Sequence, residues 1–130
     1  MTQHPLLRTT LLCAALLAAP APALAYLDTF INGMVIGNMS QKESASLAQS
    51  VAKVLNDGTD GTMASWTSPA EARRKPIEGQ LTPLRSKTDK GQPCRQLKMQ
   101  LRRADQEDNW TGWFCKQSDG RWRSRQVADD

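Results

Sequence analysis

Histidine is nearly missing from this sequence. The single one, His4, lies within a stretch that reads as a removable leader, so the chain from Tyr26 onward has none. That excludes histidine-based nucleophile systems, histidine acid–base chemistry and His-rich metal sites. Long apolar runs are missing too. Residues 11–19 form one, but Pro20 and Pro22 end it well short of the ~20 residues that span a bilayer. There is no phosphate-binding P-loop, no G-x-S-x-G nucleophile elbow, no dinucleotide glycine fingerprint and no EF-hand spacing. Internal repeats and low-complexity tracts are absent as well.

What is present reads as an exported domain. Arg8 precedes the apolar run, and Ala23-Leu24-Ala25 supplies the small-x-small pattern before Tyr26. Residues 1–25 therefore read as a signal peptide cut between Ala25 and Tyr26; the competing reading is a buried N-terminal helix. Cys13 is a poor lipidation site, because Leu11-Leu12 stand where a small residue is expected. About 105 residues remain, the length of one domain. Charged residues make up 23% and apolar ones 39%, an ordinary globular balance. The formal charge of +4 becomes +3 without Arg8. Export and so mild a charge argue against nucleic acid as a partner.

Two cysteines survive the cut, Cys94 and Cys115, and an even number in an exported chain predicts a disulfide. Closing a loop of about 20 residues is worth roughly 3 kcal/mol in the chain-entropy model. The alternative is a redox-active pair, which normally has C-x-x-C spacing. Residues 26–39 form an apolar segment containing Gly33-x-x-x-Gly37, read either as an element packing on the domain or as an interaction segment. Residues 40–130 form the domain. Ser40 with Glu43 is a capping-box pattern, and it opens a helix with apolar positions Leu47, Ala48, Val51, Val54 and Leu55. Asn56-Asp57-Gly58 closes it, Gly58 suiting a left-handed cap. Five short β runs follow, at 62–67, 77–86, 95–103, 110–117 and 121–127, with Ser118-Asp119-Gly120 a tight turn. The acids Asp105, Glu107 and Asp108 read as a solvated hairpin turn. The expected fold is α+β: one N-terminal helix on an antiparallel sheet of four to five strands, with one disulfide.

The string Gly91-Gln92-Pro93-Cys94-Arg95, then Gly112-x-x-Cys115-Lys116-Gln117-x-Asp119-Gly120-x-Trp122, resembles the rickettsial-type seventeen-kilodalton surface antigen family of proteobacteria. Leu55-Asn56, Trp66-x-x-Pro69 and Gly79-x-Leu81-Thr82-Pro83 fall in the same order, so the resemblance covers residues 45–126. It implies an envelope protein with a small β-rich C-terminal module and neither enzymatic activity nor a cofactor. The sequence departs from that pattern in having Tyr26 rather than cysteine after the cut, and only Gly33 and Gly37 of a longer glycine zipper. Both departures point toward a soluble periplasmic form.

The remaining feature is a basic C-terminal ribbon. Arg121, Arg123 and Arg125 are expected on one face of a strand, with Arg95, Arg102 and Arg103 on adjoining strands and Trp110, Trp113 and Trp122 nearby. Arginine forks pair with phosphate or carboxylate. The six form a candidate face for an envelope protein or for anionic lipid head groups, with peripheral membrane association. The bland alternative is a solvated face, with Trp66 and Trp122 in the core. The expected role is therefore non-enzymatic: a structural or interaction module in the periplasm or at the outer membrane. The alternatives are an accessory binding subunit or inhibitor presenting its arginines to an acidic partner, and a periplasmic thiol–disulfide protein.

Overall fold

The computed structural model describes residues 39–128. The expected signal peptide, its expected cleavage site between Ala25 and Tyr26, and residues 26–38 of the apolar segment lie outside the described residues. Ser40 starts helix α1 (Gln41–Asp57): its hydroxyl accepts from the Glu43 amide at 3.1 Å, and the Glu43 carboxylate accepts from the Ser40 amide at 2.8 Å. This reciprocal pair satisfies two of the four amides that a helix start leaves without partners. Leu47, Ala48, Val51, Val54 and Leu55 are all buried, as their three- and four-residue spacing requires.

At the other end the structure corrects the sequence reading. Gly58 is extended, with φ −69° and ψ 147°, and not left-handed. Glycine is needed there for closeness: an added Cβ would sit 2.6 Å from the Val54 carbonyl oxygen, which already accepts from the Gly58 amide.

Five strands follow: β1 (Ala64–Thr67), β2 (Glu78–Asp89), β3 (Gln92–Arg103), β4 (Gln106–Lys116) and β5 (Trp122–Ser124). They form one antiparallel meander in the order β1-β2-β3-β4-β5. Two-residue turns join the long strands. Lys90 and Gly91 take positive φ in the first, and Ala104 does so in the second, the conformation that tight hairpins demand. The acidic cluster is thus only partly a turn. Asp105 is in it, but β4 begins at Gln106, so Glu107 and Asp108 are strand residues. The pairing of β2 with β3 shifts register between Pro83 and Arg85, bulging out Leu84. A bulge reverses which residues face which way, so the odd positions of β2 face α1 up to Pro83 and, from Arg85 onward, face away.

The core lies between α1 and one face of the sheet. Trp66, Leu81, Leu97, Met99, Leu101, Phe114 and Trp122 pack there against the apolar stripe of the helix. Both buried indoles find acceptors: Trp66 Nε1 donates to Ser46 Oγ and Trp122 Nε1 to Asn56 Oδ1, each at 3.0 Å. A second, smaller cluster of Cys94, Cys115, Trp113 and Val127 occupies the opposite face. The cysteines are directly opposed in the β3–β4 register and form the Cys94–Cys115 disulfide.

Candidate functional site

Register sorts the strand residues onto two faces. On β3, odd positions from Arg95 to Arg103 face α1, and even positions from Cys94 to Arg102 face away, toward what we call the outer face. The six candidate arginines therefore do not share one surface.

Arg95 and Arg103 point at the helix. Arg95 Nη1 donates to the Val54 and Leu55 carbonyls, both at 3.0 Å, while Nη2 meets Asp60 at 2.6 Å and Nε meets Ser86 Oγ at 2.9 Å. It satisfies the helix-end carbonyls that a left-handed glycine cap would otherwise serve. Its hydrogen bond also lowers the pKa of Asp60. Arg103 reaches the buried Glu43 at the start of the helix. The lengths match: the helix's 17 residues span about 25 Å, and the strand from Arg95 to Arg103 spans about 26 Å. One strand thus clamps both helix ends. Replacing Arg95 with Met keeps the stem and removes the donors. Arg95→Met should cost about 2 kcal/mol, the scale of charge-assisted hydrogen bonds, read as a lowered urea midpoint.

Arg121 has its Nε 3.4 Å from the Asp119 carboxylate in the preceding turn. Arg102 is on the outer face at the hairpin end, 4.0 Å from Glu107 and in register with Glu78. Arg123 and Arg125 reach the outer face at the disulfide end. Arg123 is opposite Cys115, and Arg125 binds Asp89 at 2.6 Å, Gln92 at 3.1 Å and lies 3.6 Å from Cys94 Sγ. The hydrogen bond from Arg125 lowers the Asp89 pKa.

Three cations outside the candidate set join them. Register puts Lys98, Arg85 and Lys87 on the outer face, the last two because of the bulge at Leu84. The Arg85 guanidinium stands 5.1 Å and the Lys87 ammonium 5.9 Å from the centroid of the Trp113 ring, which is 7% exposed beneath them. The disulfide half of this face thus gathers Arg85, Lys87, Lys98, Arg123 and Arg125 around Trp113, with Asp89 as the acid among them. The hairpin half has Arg102 between Glu78 and Glu107. Charge is polarised along the face, and fixed cations over a rigid indole and a disulfide are suited to holding anions. Among the described residues no group of His, Cys, Asp and Glu comes together to hold a metal, and no helix is long and apolar enough to cross a membrane.

Compared with models of known families, with curated proteins and with solved structures, the chain matches none.

Proposed function

We propose that the protein is a non-enzymatic, exported envelope module of the surface-antigen type, and that it docks on anionic lipid head groups through the disulfide half of its outer sheet face. The observation that carries this reading is the gathering of five cations around Trp113 on an open sheet surface. Two of them stack on the indole, so part of their positioning is fixed before any ligand arrives. An open face fits an extended anionic surface better than a small molecule, which calls for a concave pocket. The leader-like N-terminus and the order of the cysteine and glycine motifs support the envelope setting.

Vesicle flotation tests the reading. The protein should partition onto phosphatidylglycerol-containing vesicles, not onto neutral phosphatidylcholine, and should leave as salt rises. Each cation near an anionic surface contributes about 1 kcal/mol, so Arg85→Gln, Lys98→Gln and Arg123→Gln together should lower partitioning about a hundredfold. All three side chains are exposed, so the fold should persist. Equal partitioning of variant and parent would refute the proposal. Selective capture of one acidic envelope protein, without vesicle binding, would replace it with the accessory-subunit reading.

A further inference from the structure

Strand β4 outruns the strand that follows it. It pairs with β3 from Gln106 to Cys115 but with β5 only over residues 114–116. Beyond Ser124 the chain turns onto the outer face, where Val127 packs with Trp113 and the disulfide. Among the described residues, 106–112 therefore have a ladder partner on one side alone. The outward groups are identifiable, because the Trp113 carbonyl accepts from the Arg125 amide at 3.2 Å. Antiparallel alternation puts the N–H and C=O groups of Glu107, Asn109 and Thr111 on that same side.

The opposite edge of the sheet is guarded. β1 is only four residues long, and past its end the Gly61 amide caps the Pro83 carbonyl of β2 at 2.6 Å. Residues 106–112 contain no Pro, Lys or Arg, and the β3–β4 pairing has no register shift. Of the devices by which an edge strand ordinarily avoids partners, proline, basic side chains and a bulge are missing here, and the charges present are the two acids Glu107 and Asp108.

We propose that this edge is a homodimer interface, in which β4 strands of two copies pair antiparallel about a two-fold axis at Asn109 and join two five-stranded sheets into one. Self-complementarity selects a second copy over a foreign strand. The register centred on Asn109 uses the singly paired stretch from end to end. Glu107 then lies opposite Thr111, Asp108 opposite Trp110 and Asn109 opposite its own counterpart, so no like charges are opposed. Two residues on, the place opposite Trp113 is held by that copy's own Arg125, so the partner's hairpin turn, with its acid Asp105, ends against Arg125 and near Arg123. The acidic hairpin tip of each copy thereby meets the basic corner of the other, and the two-fold repeats the contact.

Sedimentation equilibrium on the protein as its producing cell processes it is the test. A reversible monomer–dimer equilibrium is expected. Asn109→Lys alone and Asn109→Glu alone put like charges face to face and should each weaken the dimer at least tenfold. Mixed in equal amounts, the two variants should form a heterodimer. Asn109 is exposed on the outer face, so both variants should fold. Thr111→Pro removes an outward amide and leaves the β3 ladder intact, so it should give monomer. A monomer at every concentration, a dimer indifferent to these changes, or a different protein bound at β4 would each overturn the proposal.

Discussion

Glu43→Ala should destabilise the domain by about 3–5 kcal/mol, the scale of breaking a buried ion pair from one side. Glu43 is 1% exposed. Its carboxylate accepts from the Ser40 amide at 2.8 Å, from Arg74 Nε at 3.1 Å and Nη2 at 2.7 Å, and from Arg103. One side chain thus caps the helix, ties down the 68–77 connection through Arg74 and anchors the end of β3. Removing it leaves the Arg103 guanidinium, whose Nε already lacks a partner, beside the positive end of a helix dipole. The pH dependence has a definite sign. Burial pushes the Glu43 carboxyl up, but hydrogen bonds from Arg74, the Ser40 amide and Arg103 outweigh it and hold its pKa at about 2, against an ordinary 4.5. A carboxyl lowered in the folded state contributes stability that is fully present above the ordinary value and is lost as pH falls through about 2. Urea midpoints measured between pH 7 and pH 2 should fall steeply below about pH 5 in the parent. They should fall less in Glu43→Ala, where Asp60 and Asp89 account for the remaining slope. An unchanged slope in the variant would show that Glu43 is not the group responsible.

The helix was legible because each of its signals is local. Ser40 and Glu43 are three residues apart, and the apolar stripe repeats within one segment. The alternation of Leu97, Met99 and Leu101 likewise located β3 and its two faces. Sequence alone could not assign Arg95 and Arg103 to the helix side by their charge. Alternation puts both in phase with those three buried residues, a signal that the basic character of the ribbon obscured. Arg85 and Lys87 were missed for a different reason. Their facing depends on the bulge at Leu84, where a single extra residue reverses strand parity, and the one local mark of it is Pro83, a proline inside an otherwise central strand. β5 proved shorter than its alternating pattern implied. Only Trp122–Ser124 pair, and Arg125 leaves the strand to meet Asp89. The polarised outer face is therefore a product of register, and no single segment of the sequence carries it.

Replacing both Cys94 and Cys115 with alanine should lower stability by about 3 kcal/mol, from the loop that their separation of 21 residues closes in the unfolded chain. The bridge lies on the outer face with Trp113 and Val127, and both cysteines are 1% exposed or less. Mild thiol reductant should leave it intact until denaturant opens the domain. A pair reduced in the native state, with turnover of a small disulfide, would instead favour the thiol–disulfide reading. Register also ties the bridge to the proposed membrane face. Lys87, Cys94, Cys115 and Arg123 form one row across four strands, so the disulfide lies directly between two of the five cations. Losing it removes a covalent crosstie beneath the charges without removing any of them. The double variant should accordingly lose several-fold in vesicle partitioning while keeping its salt dependence, because the number of cations is unchanged and only their fixed spacing is relaxed. Parent-level partitioning by a folded double variant would show that the cations act by number alone, and that the rigidity of the row contributes to stability but not to binding.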